Sequence, residues 1–151
     1  MDAEAAARTA IAVGAHVASV RSILTCDADV LAPCALGGVL NERTIPGLRA
    51  KVVCGAANNQ LRESEDGARL AGRGILYAPD FVVNAGGIIN VAAEYLGWSA
   101  AVASSRVGNI PARLEQVFGR AECDGVPTHR AAEQLARELI AIGAHQSRRA
   151  A

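Results

Sequence analysis

Three asparagines and a pair of glycines carry the most chemistry in this sequence. Asn58 and Asn59 follow one short apolar run, Asn84 follows another, and Gly86-Gly87 begins two positions after Asn84. A side-chain amide offers a donor and an acceptor together, the complement of a carboxamide on a ligand. Backbone N–H groups exposed where glycines lead into a helix suit a phosphate, a carboxylate or a carboxamide. For any one of these asparagines, turn formation is a sufficient explanation. A glycine pair alone is explained by a tight turn with close helix packing. Three successive stretches, residues 29–38, 51–60 and 74–87, each run from apolar residues into small ones. Loops that end on one sheet edge shift the balance toward a shared site, because open α/β sheets bind ligands at the carboxyl ends of their strands.

The remaining reactive side chains read as structural. His16, His129 and His145 are far apart and lie near helix ends, where surface or capping roles are expected. Asp80 follows Pro79 and reads as the cap of the next turn rather than a catalytic acid. Cys26, Cys34, Cys54 and Cys123 form no Cys-x-x-Cys pair, which argues against a disulfide framework and a zinc site. Cys34 and Cys54 sit in apolar runs and are expected to be buried small hydrophobes. No catalytic or metal-ligating set emerges.

The elements that must position the loops follow from periodicity. Residues 30–32, 51–54 and 75–77 read as strands, with Pro33 ending the first. Between them, residues 41–48 read as a short helix capped by Asn41, with Pro46 inside it, and residues 64–71 as a helix closed by Gly72 and Gly74. Strands alternating with short helices predict a parallel sheet of βαβ units. Before them, residues 2–13 are alanine-rich and helical, with Gly14 as the stop, and residues 17–24 read as a short strand and a helical turn. After Gly87, Ile88, Val91, Ala92, Tyr95 and Leu96 recur at helical spacing. A helical stretch follows over 99–121, with Leu114, Val117 and Phe118 on one face and Pro111 kinking or dividing it. Gly125 to Pro127 reset the chain, Thr128 caps a last helix bearing Ala132, Leu135, Leu139 and Ile142, and residues 146–151 are expected to fray. Tyr95 and Trp98 are expected in the core beneath the helical tail.

Bulk properties bound the function. The 151 residues suit one domain, and 51% are apolar, enough for a core. Formal charge is zero with acids and bases interspersed, which disfavours nucleic acid as a partner. No apolar run approaches the roughly 20 residues of a membrane span, and Met1-Asp2-Ala3-Glu4 lacks the basic start of a signal peptide. A cytoplasmic, reducing location is the expectation.

Five segments together resemble a known family. They are Ala32-Pro33-Cys34-Ala35-Leu36-Gly37-Gly38, Gly55-Ala56-Ala57-Asn58-Asn59-Gln60-Leu61, the stretch from Gly74 to Gly87, Leu96-Gly97-Trp98-Ser99 and Asp124-Gly125-Val126-Pro127. They are similar to the coenzyme-binding half of the amino-acid dehydrogenases acting on leucine, valine or phenylalanine, relatives of glutamate dehydrogenase. The resemblance covers nearly the whole chain, with long motifs in the family's order. It implies an α/β fold: the C-terminal half of a Rossmann-like, doubly wound parallel sheet over residues 1–98, with a helical extension over 99–151 packing on it. It implies oxidative deamination of an L-amino acid to a 2-oxo acid and ammonia, with NAD as hydride acceptor. Ala35 and Leu36 would lie along the cofactor. Ala57, Asn58 and Asn59 would reach the nicotinamide ribose and carboxamide, with Asn58 nearest the substrate. Asn84 would complete the cofactor contacts, and the segment through Gly86 and Gly87 would close around the substrate. Ile88 and Val91 correspond to side-chain pocket positions, although core packing of an amphipathic helix explains their spacing equally. Two branched aliphatics there suggest an apolar substrate, a weak discriminator at about 1–3 kcal/mol per methylene.

The departures matter as much. The sequence holds no G-x-G-x-x-G turn for a pyrophosphate. The family's substrate domain, with its catalytic lysine, aspartate partner and carboxylate-gripping lysine, has no counterpart. The one lysine, Lys51, starts a strand at the end away from the crevice. Deamination needs a base with a depressed pKa, and nothing near the three loops supplies one. The favoured expectation is therefore a dehydrogenase fragment with little or no activity alone and weak NAD binding at best. The alternative is a stand-alone, non-catalytic nucleotide-binding or assembly module. In either case a half-sheet with a free edge and bare apolar faces should need the missing N-terminal part or a homo-oligomer.

Overall fold

The computed structural model describes residues 2–149, with side-chain surroundings as far as residue 143. Three strands form a parallel sheet in the order β1 (Val30–Leu31), β2 (Val52–Val53) and β3 (Leu76–Tyr77). Val30 pairs with Val52 and Val52 with Leu76, while Leu31, Val53 and Tyr77 make the next row. The strands are shorter than the apolar runs suggest. The backbone pairing nevertheless continues past them: Gly38 N–H donates to Asn59 O at 2.7 Å, Leu40 N–H to Gln60 O at 3.0 Å, and Leu40 pairs with Leu61 in a parallel bridge. The first two strand-end loops thus run side by side. Glycine permits this approach, since a Cβ on Gly37 would sit 2.7 Å from Asn58 O, and one on Gly55 would collide with the Pro33 backbone.

Helix α1 (Ala3–Val13) starts under the Asp2 carboxylate, which accepts the Ala5 N–H at 2.9 Å, and stops at Gly14 at φ 67°. None of its residues is buried. Helix α2 (Glu65–Gly72) joins β2 to β3, and α3 (Asp80–Val83) and α4 (Gly86–Leu96) follow β3. The tail comprises α5 (Ala100–Gly108), α6 (Ile110–Asp124) and α7 (Thr128–Arg149). Leu40, Ile45, Leu48, Val53, Leu70, Ile75 and Tyr77 form the core under the sheet. Val117, Ala121, Ala131 and Ala132 form a second cluster between α6 and α7, with Val82 packed against it. Thr128 Oγ1 donates to Tyr77 O at 2.6 Å and joins the tail to β3. No helix among the described residues is long and apolar enough to cross a membrane.

Several local expectations are corrected. Residues 17–22 form no strand, because no described strand lies beside them and Val17 and Val20 remain exposed. Over 41–48 only Ile45–Gly47 is helical, a single 3-10 turn. Asn41 Oδ1 instead accepts the N–H groups of Arg43 and Thr44 in a local turn. Pro111 divides the 99–121 stretch, sitting in the first turn of α6, where its missing N–H costs nothing. Thr128 starts α7, but its hydroxyl serves Tyr77 rather than the helix end. The last helix stays helical through residues 146–149, while 150 and 151 lie outside the described residues. Cys34 is exposed and Cys54 half-buried, because both stand in the strand-end loops rather than in the strands. Tyr95 is 88% exposed and Trp98 half-buried, since the tail packs α6 against α7 and leaves the far end of α4 bare. His129 is buried rather than capping a surface helix, and the side chain of His145 lies outside the described residues.

Candidate functional site

The loops leaving β2 and β3 border one open cleft of about 630 Å³. Asn58 comes from the β2 loop, Asn84 from the turn after α3, and Gly86, Gly87, Ile88 and Val91 from the first two turns of α4. The tail closes the far wall with Val107 and Ile110. Six of the positions singled out in the sequence therefore face one another across this space.

Its polar centre is an amide pair. Asn84 Nδ2 donates to Asn58 Oδ1 at 2.6 Å and to Ala56 O at 3.1 Å. Two acceptors on one nitrogen fix which way the Asn84 amide points. Asn84 Oδ1 and Asn58 Nδ2 then bond to no other described residue, which leaves one acceptor and one donor at the cleft.

Three residues outside the expected site positions hold this geometry. Gln60, fully buried, donates from Nε2 to Gly55 O at 2.6 Å and Ala57 O at 3.0 Å, folding its own loop into a closed turn. Asp80 accepts the Gln60 backbone N–H at 3.1 Å through Oδ2 and the Tyr77 hydroxyl at 3.2 Å through Oδ1. Burial, and then the Asp80 charge, hold the Tyr77 hydroxyl well above the usual phenol range, so it stays a proton donor. Asp80 is thus a buried strut between two loops, with its side chain aimed away from the cap position expected of it. The sequence signals were a glutamine inside an apolar motif and a Tyr-x-x-Asp spacing after β3.

The other predicted positions lie elsewhere. Ala35 and Leu36 sit exposed on the β1 loop and do not line the cleft, with Leu36 78% exposed. Ala57 is buried, and its backbone is committed: its N–H donates to Pro33 O at 2.9 Å and its carbonyl accepts from Gln60. Asn59 adopts φ 52°, a left-handed turn conformation, and borders a different hollow beside Ser64 and His129. No ionisable side chain lines the cleft. Lys51 pairs with Asp29 at 2.9 Å at the opposite ends of β1 and β2. Among the described residues, no group of three His, Cys, Asp or Glu side chains could hold a metal ion.

A parallel sheet whose strand-end loops border an open, amide-lined cleft defines an α/β fold. Residues 3–141 match the glutamate/leucine/phenylalanine/valine dehydrogenase family, and the chain belongs to that family. It is 44% identical over 137 residues to leucine dehydrogenase of Geobacillus stearothermophilus, a match spanning 91% of this chain and 37% of the relative. The crystal structure of L-tryptophan dehydrogenase from Nostoc punctiforme superposes with a TM-score of 0.87 at 44% identity, covering 91% of this chain and 41% of that one. The hetero-hexameric glutamate dehydrogenase of Thermus thermophilus gives a TM-score of 0.64 at 27% identity, covering 91% and 35%. The relatives are amino-acid dehydrogenases, and this chain spans well under half the length of each of the three.

Proposed function

We propose that this chain supplies the nicotinamide-side portion of an NAD-dependent amino-acid dehydrogenase that converts an apolar L-amino acid to a 2-oxo acid and ammonia. The supporting observation is the single cleft that joins Asn58 and Asn84 to Gly86, Gly87, Ile88 and Val91. The nicotinamide end of the cofactor fits it: the unpaired Asn84 Oδ1 and Asn58 Nδ2 match the donor and acceptor of a carboxamide. The bound cofactor would accept hydride. The chain's own residues bind and orient. Asn58 and Asn84 fix the plane of the carboxamide, while Ala35 and Leu36, exposed on the β1 loop outside the cleft, would meet a more distant part of the cofactor. Ile88 and Val91 offer an apolar wall to the amino acid side chain and exclude water from it.

Proton transfer is a different matter. With no ionisable group lining the cleft, the base that deamination requires must come from another polypeptide segment. The isolated chain is accordingly inactive in this reading. That same absence favours the second reading, a non-catalytic nucleotide-binding or assembly module. Either way, the free edge of β1 and the exposed Ile88, Val91, Tyr95 and Leu96 of α4 call for a covering polypeptide, the remainder of a family-type enzyme or further copies of this chain. A reducing cytoplasm suits the four free cysteines.

A chimera tests the reading. Residues 3–141 replace the matching segment of Geobacillus leucine dehydrogenase, and NAD reduction is followed with L-leucine and L-valine. Turnover that falls about tenfold to a hundredfold in Asn58→Ala supports the proposal. A folded, correctly assembled chimera without turnover overturns it, as does turnover by the isolated chain for the claim of inactivity.

A further inference from the structure

A second hollow, of about 340 Å³, opens where α4, α5 and α6 meet. It shares Ile88 and Ile110 with the cleft already described but, unlike that uncharged cleft, is lined by cations. Arg106 and Arg113 both line it, no carboxylate does, and neither guanidinium lies within 4.0 Å of an acidic group among the described residues.

Both cations are positioned. The Arg106 guanidinium lies 4.0 Å from the centroid of the Trp98 ring, stacked on the indole. Arg113 is steadied by the neutral Gln116, donating from Nη1 to Oε1 at 2.9 Å, which leaves its charge uncompensated and its other N–H groups free for a ligand. Asn109, at the junction of α5 and α6, adds a side-chain amide, while Ile88 and Ile110 provide apolar wall. Two like charges held across one hollow without an anion repel each other, and a bound carboxylate removes that repulsion while gaining charge-assisted hydrogen bonds. An indole and aliphatic floor rewards an apolar body on the same molecule.

We infer that the hollow between α4, α5 and α6 is a binding site for a small organic carboxylate with an apolar body, held by Arg106 and Arg113 over Trp98. The hollow adjoins the Asn58–Asn84 cleft through Ile88 and Ile110, but neither arginine, Asn109 nor Trp98 lines that cleft, so its polar groups are separate from those of the dehydrogenase reading.

Trp98 is the sole tryptophan, so its emission reports on the site directly. Benzoate is titrated into the intact chain, with benzamide as the uncharged counterpart and inorganic phosphate as an anion without an apolar body. Emission is paired with calorimetry, which also serves variants that disturb the indole. Saturable benzoate binding is expected, weakened about tenfold by Arg113→Gln or Arg106→Gln and absent for benzamide. Both arginines are exposed, and far-UV circular dichroism checks that the variants remain folded. Three results overturn the inference: no saturable binding of benzoate, benzoate binding unchanged in folded Arg113→Gln and Arg106→Gln, or benzamide binding as tightly as benzoate, which would make this only an apolar groove. Phosphate binding as tightly as benzoate overturns the requirement for an apolar body.

Discussion

Asn84 donates its side-chain amide to Asn58 Oδ1 at 2.6 Å, linking the loop after β3 to the loop after β2 across the mouth of the cleft. Each asparagine orients the other, so the pair should fail as a unit. In the chimera, Asn84→Ala and Asn58→Ala are each expected to lower kcat/KM by about tenfold to a hundredfold, and the double variant little further, because groups acting together are non-additive. Additive losses in steady-state kinetics would show that the two side chains act separately.

Asp80 is the strut beneath that pair. Asp80→Ala leaves the Gln60 N–H and the Tyr77 hydroxyl buried without their acceptor, at a cost of about 1–3 kcal/mol for each unsatisfied group. Tyr77→Phe removes one hydroxyl, which donates to Asp80 Oδ1 and accepts the Asp80 N–H, but leaves the Asp80 carboxylate on the Gln60 N–H, and should cost less, about 1–2 kcal/mol. Urea denaturation of the two variants checks the order. Equal midpoints for Asp80→Ala and wild type would remove Asp80 from the support of the β2 loop.

Gly67 lies inside α2, where alanine would normally be worth roughly 1 kcal/mol more than glycine. Here a Cβ would enter the space of the His129 imidazole. Overpacking of this kind costs about 1–3 kcal/mol, which exceeds the gain in helix propensity. Gly67→Ala is therefore expected to lower the melting temperature. Gly119→Ala in α6, where nothing stands within 4 Å of the added methyl, should raise it. A rise for both variants would mean that α2 and α7 shift apart easily and that the Gly67–His129 contact contributes little.

These pairs also mark what the sequence made legible. Local chemistry was readable: Gly14 as a helix stop, Pro111 as a divider, and three apolar runs as strands in one parallel sheet. The convergence of Asn58, Asn84 and the Gly86–Val91 segment followed from strand-end loops sharing one edge. Most of the failures come from contact between elements far apart in sequence. Nothing near His129 announces that Gly67 leaves room for its ring. Asp80 after proline has every local mark of a cap, yet its carboxylate is taken by the Gln60 N–H, twenty residues earlier, together with the Tyr77 hydroxyl. Residues 17–22 carry strand-like valines, yet a strand exists only beside another strand, and none of those described lies there. Asn59 resembles Asn58 in type and position, but its left-handed backbone turns it to another hollow.

His129 makes stability depend on pH. The residue is 4% exposed, Nδ1 has no partner, and Nε2 stands 3.5 Å from Ser64 Oγ. Burial first, and then the neighbouring Arg130, lower its pKa, against weaker upward pulls from Glu133, the Ser64 hydrogen bond and Glu65. The unfolded chain therefore takes up a proton before the folded one does. Above about pH 6.5 both states are neutral at this position and stability is flat with pH. As pH falls through about 6.5, protonation favours the unfolded state, and stability declines until the folded-state value is reached, where the loss levels off. Urea unfolding between pH 8 and pH 5 should show this decline in the wild type and a shallower one in His129→Gln. The quantity compared is the slope with pH, so any general destabilisation by the substitution cancels. Parallel slopes for the two proteins would mean that protonation of His129 is not what the folded state resists.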